Sequence, residues 1–173
     1  MSENKKNPLD KAFAALLSDD DAKALEALAL IHEKGDARAI FPLLHALAST
    51  DDPSRQRRIQ SMLYEVKVKE AAAELGRALD TPELLDVRKT VIAAFWNAGL
   101  DARPYVQRLL QIAVEGDVAE TFEVLTVLEN QEDLLPDLVQ GGPDLVRAGM
   151  EKEPDAYKRA LLDGLLEVLE GRA

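Results

Sequence analysis

The chain has 173 residues, and its 21 Lys and Arg against 32 Asp and Glu give a formal net charge of −11. A chain this long buries roughly 70% of its unfolded surface, so it can hold a core without staples. With no cysteine it has no disulfide, thiolate zinc site, iron–sulfur cluster or cysteine nucleophile. The charge is lopsided: residues 1–114 carry 16 basic and 17 acidic groups, and residues 115–173 carry 5 and 15. Such a field repels phosphate backbones and anionic lipid, so any nucleic-acid role would fall to the earlier part alone. Neither a secretory signal nor a run of the roughly 20 apolar residues needed for a membrane span is expected, and the cytoplasm is the expected location.

Ala and Leu dominate, and apolar residues recur at steps of three and four, which predicts helix throughout. A capping helix is expected within residues 1–17. Asp19-Asp20-Asp21 opens the next helix, which runs to about Lys34 and is stopped by Gly35. Asp36 caps a helix bearing Ile40, Leu43, Leu44 and Leu47, and Asp52-Pro53 starts another. Further helices are predicted from about Pro82 to Ala98, Ala102 to Val114 and Val118 to Asn130, the last two capped by Asp101 and Asp117. Gly141-Gly142-Pro143 must break a helix, and Pro154 begins the final one. Phe41, Phe95, Phe122, Leu28, Leu63, Val91, Leu125 and Leu128 are the expected core.

The helices come in pairs, and the pairs repeat. Gly35-Asp36-Ala37-Arg38 returns as Gly99-Leu100-Asp101-Ala102-Arg103, two steps of about 32 residues on, and Asp133 follows one step later. A two-helix unit of this length points to stacked hairpins, each covering its neighbour's apolar face. Asp86-Val87-Arg88 followed by Lys89-Thr90-Val91-Ile92-Ala93-Ala94-Phe95, and Gly35 to Leu44 with Pro42 inside the helix, resemble the HEAT-repeat family. The resemblance covers roughly residues 18–138 and leaves 139–173 as atypical capping helices. It implies an all-α fold, a short right-handed α-solenoid of about four to five antiparallel helix pairs. In that family the Asp and Arg tie one repeat to the next, which implies the same for Asp86 and Arg88.

Chemistry finds little support. His32 and His45 are the only imidazole bases, and no elbow motif presents a serine. Asp19-Asp20-Asp21 reads as a helix cap rather than a metal site, and Gly141-Gly142 lacks the spacing and lysine of a phosphate loop. No catalytic, metal or cofactor residue is proposed. A ladder stands out instead: Lys23, Arg55, Arg88 and Glu120 recur at steps of 32, 33 and 32, and His32, Tyr64, Asn97 and Asn130 at 32, 33 and 33. Gln56, Gln60 and Tyr64 form one helical row, and Lys89, Ala93 and Asn97 the next. Arg55, Arg58, Gln60, Tyr64, Arg88, Lys89, Trp96 and Asn97 are therefore the candidate partner-binding residues, since Trp, Tyr and Arg most often anchor interfaces.

The expected function is non-enzymatic: a scaffold whose concave wall holds a protein or peptide partner. The resemblance leaves two enzyme alternatives open, bilin lyases or isomerases and alkylpurine DNA glycosylases, both HEAT-like. For the glycosylase the chain offers one mildly basic strip, residues 53–108, with 10 basic groups against 7 acidic. The sequence leaves the partner's identity and the oligomeric state open.

Overall fold

The computed structural model describes residues 7–18, 20–34 and 36–171. The remaining positions, which include Asp19 of the acidic triplet and the Gly35 stop, lie outside the described residues. All regular structure among the described residues is helical. The chain divides into two compact units, Met1–Val87 and Arg88–Ala173.

In the first unit α1 (Pro8–Ala15) packs on α2 (Asp21–Lys34), and α3 (Ile40–Ser49) packs on α4 (Pro53–Tyr64). Capping follows the expected logic. Asn7 caps α1, Asp20 accepts from the Ala22 and Lys23 amides, and Asp52 accepts from Ser54 and Arg55. Periodicity did not single out α5 (Ala71–Ala78), which buries Ala71, Leu75 and Ala78 against α3 and the turn before it. Residues Pro82–Val87 form a 3₁₀ helix that seats Leu84 in the core and packs on α3. The long helix expected from Pro82 is thus two elements: the tighter 3₁₀ coil belongs to the first unit, and α6 (Arg88–Asn97) opens the second.

The second unit continues with α7 (Val106–Glu115), α8 (Val118–Glu129), the short α9 (Pro136–Val139), α10 (Gly142–Lys152) and α11 (Ala156–Leu169). One row of packing runs α6 to α8 to α11; α7 packs on α8 and α10, and α10 packs on α11. Gly99 ends α6 at φ 65°, while the Leu100 amide donates to the Phe95 carbonyl at 2.8 Å, which turns Leu100 inward. The break before α10 is Gly141, held at φ 75°. The final helix, expected from Pro154, begins at Ala156, because the Asp155 carboxylate caps it by accepting from the Lys158 amide at 2.8 Å.

Of the expected core, Phe95, Leu28, Leu63, Val91 and Leu128 are buried. Phe41 and Leu125 are half-buried, and Phe122 is 46% exposed. Phe122 lies on the side of α8 away from Val124, Val127 and Leu128, and an apolar residue there breaks the rule that placed it inside.

Candidate functional site

The Asp-x-Arg turn does repeat. Asp36 Oδ1 accepts from the Arg38 amide at 2.9 Å, and Arg38 returns Nε and Nη2 to the same carboxylate. Asp101 and Arg103 make the same three-way contact, with the amide at 3.0 Å. Each turn opens a 3₁₀ stretch, Ala37–Ala39 or Arg103–Tyr105, that runs straight into α3 or α7. In both, hydrogen bonding from the arginine holds the aspartate below its usual range. Asp133 does not repeat the motif: it sits at φ 56° ahead of the four-residue α9.

The second unit brings ladder residues together. Arg88 Nε donates to Glu120 Oε1 at 2.6 Å, and Nη2 donates to Oε2 at 3.0 Å. The pair is mostly buried, with the side chains 18% and 10% exposed. The hydrogen bond to the carboxylate holds the guanidinium above its ordinary value, against the desolvation that burial imposes. Glu120 also accepts from the Asp117 amide while Asp117 accepts from the Glu120 amide, so one carboxylate closes the capping box of α8 and grips α6. Asp86 is exposed, and none of the described hydrogen bonds or ion pairs uses its side chain. The carboxylate that Arg88 holds is therefore Glu120 and not Asp86.

Trp96 Nε1 donates to Glu123 Oε2 at 2.9 Å, a second bond from α6 to α8. Lys158 does the equivalent work between α11 and the α7–α8 turn. It is 6% exposed, and its ammonium donates to the carbonyls of Val114 at 3.0 Å and Gly116 at 2.7 Å, and pairs with Glu153 at 2.9 Å. In sequence it is only a lysine in the first turn of the final helix, which by composition alone reads as a surface residue.

These ties fix direction. Arg88 in the first turn of α6 meets the first turn of α8, and Lys158 in the first turn of α11 meets the residues just before α8. Further along, Gly164 of α11 faces Leu125 of α8 so closely that a Cβ there would stand 3.2 Å from Leu125 Cδ2. Helices α6, α8 and α11 thus lie side by side and run the same way. Their last turns share a detail too: Asn97 Nδ2 donates to the Ala93 carbonyl, and Asn130 Nδ2 to that of Thr126.

The candidate residues divide accordingly. Arg88 and Trp96 hold helices together, Ala93 of the Lys89 row is buried, and Lys89 and Asn97 are exposed. In the first unit Arg58 is exposed, while Arg55, Gln60 and Tyr64 are half-buried along α4. Gln56 is spent on the Thr50 carbonyl at 2.8 Å. His32 is exposed, and the His45 ring lies 6.2 Å from that of Phe41. Beside Trp96 a crevice of 460 Å³ opens between the turns at Gly99–Asp101 and Asn130–Asp133, where Gln131 clamps the Ala102 amide at 2.8 Å.

Among the described residues no group of three or more His, Asp or Glu is gathered as a metal ion would need. No helix there is long and apolar enough to cross a membrane. The chain matches no protein-family model, no curated protein and no solved structure with which it was compared.

Proposed function

We propose that the protein is a non-enzymatic scaffold of HEAT-repeat type, which offers the outer faces of its second helices to a polypeptide. The observation that carries this reading is the row α6, α8, α11, locked from inside by Arg88–Glu120, Trp96–Glu123 and Lys158. Rigid helices whose polar ties are spent inward leave an ordered outer face that is free to bind, and binding to an ordered face loses little conformational entropy. The recurrence of the Asp-x-Arg turn at Asp36 and Asp101 supports a repeated helical unit.

On this reading Arg88 and Trp96 position the face of the second unit, where Lys89 and Asn97 contact the partner, and on α4 of the first unit Arg58 and Tyr64 offer contacts of their own. The test is affinity capture from native extract with wild-type chain and with a Tyr64→Ala/Lys89→Ala chain. Partner recovery should fall in the variant, and in wild type it should fall as salt screens the contact. Equal recovery from both chains overturns the assignment of these residues.

A further inference from the structure

We infer that the exposed apolar seam between α8 and α11 docks a lysine- and arginine-rich amphipathic segment of another protein. This rests on the scaffold reading and names the surface and the partner chemistry for it. Phe122 is 46% exposed and Tyr157 60% exposed. Phe122 lies one turn before Leu125 on α8, and Tyr157 lies two turns before Gly164 on α11. Because Leu125 faces Gly164 and the two helices run the same way, both rings stand on the same side of the α8–α11 junction, toward its N-terminal end.

Charge decides the occupant. Glu129 is two turns beyond Phe122, Asp163 adjoins Gly164, and Glu167 lies one turn further. All three are exposed, and none of the described ion pairs involves them. Three of the four cations on α10 and α11 are already committed, and the fourth, Lys152, stands at the end of α10. Lys158 is buried, Arg147 pairs with Asp144 and Glu170, and Arg159 donates to the carbonyls of Glu153 and Pro154. An apolar seam edged by one sign of charge repels nucleic acid, anionic membrane and the same seam of a second copy. A basic amphipathic segment satisfies both features: its apolar side covers Phe122 and Tyr157, and its cations meet the acids.

The probe is a fluorescein-labelled amphipathic lysine–leucine peptide, titrated against the full chain and followed by anisotropy, with a glutamate–leucine peptide and a lysine–glycine peptide alongside. The lysine–leucine peptide should bind best, and raising salt from about 50 mM to about 300 mM should weaken it roughly ten-fold. F122A should weaken it roughly five-fold or more without moving the thermal midpoint, since that ring is exposed. E129K/D163K should abolish binding, while E83K/D86K, which reverses two exposed acids of the first unit, should not. Unchanged affinity in F122A and E129K/D163K, equal loss in E83K/D86K, or equal binding of either companion peptide overturns the seam. If the seam variants bind normally while Tyr64→Ala/Lys89→Ala loses its captured partner, the seam falls and the scaffold reading stands. If capture is also unchanged, both fall.

Discussion

Arg88 and Glu120, 32 residues apart, form a two-pronged ion pair that joins the first turns of neighbouring helices. In sequence the two occupy equivalent rungs of the ladder with opposite charge, and one clamps the other. Replacing either by neutral glutamine, R88Q or E120Q, leaves a mostly buried charge without its partner. Each should cost about 2 kcal/mol, and the coupling in a double-mutant cycle should be about 1–2 kcal/mol by chemical denaturation. E120A should cost more than E120Q, because glutamine can still accept from the Asp117 amide and close the capping box of α8, whereas alanine cannot.

Lys158 is the second joint. K158M leaves the Val114 and Gly116 carbonyls and the Glu153 carboxylate without their donor and should cost about 2–3 kcal/mol. The same residue sets a pH dependence. Its hydrogen bond, followed by that of the Asp155 amide, holds Glu153 below the ordinary value of 4.5. A carboxylate depressed on folding stabilises the fold above its unfolded value and loses that contribution as pH falls through the folded one. Wild type should therefore lose stability on acidification below about pH 4.5, and K158M should lose less over that window. Thermal melts of both chains from neutral pH to about pH 3 measure the difference.

Close approach of helices makes a third prediction. A Cβ at Gly149 of α10 would stand 2.7 Å from Val114 Cγ1 of α7. G149A should lower stability by about 1 kcal/mol despite the helix preference for alanine, and adding V114A should recover most of it. A destabilised double variant would mean that α10 has no tight contact at that point.

Helix class and most boundaries were legible because capping chemistry is local. Asp20, Asp52, Asp117 and Asp155 each reach amides two or three residues on, and three of the four were expected as helix starts. The division at Val87 and Arg88 was not legible, since a 3₁₀ coil and an α-helix share nearly the same apolar spacing over six residues. Phe122 was misplaced because an aromatic at helical spacing normally marks core. Of the candidate residues, Arg88 was legible from the resemblance as a tie between helices, while for Trp96 a packed and a partner-facing place were both open. Their partners are Glu120 and Glu123, acids whose role is set by which helix lies beside them. Lys158 gave no signal, since a buried ammonium is recognisable only once the carbonyls around it are in place.

Trp96 is the sole tryptophan of the chain, and its indole bridges α6 and α8 inside the second unit. Intrinsic emission therefore watches one half of the protein while circular dichroism watches both. If the two signals melt at different temperatures, the halves unfold separately, and the label-free fluorescence midpoint belongs to residues 88–173 alone.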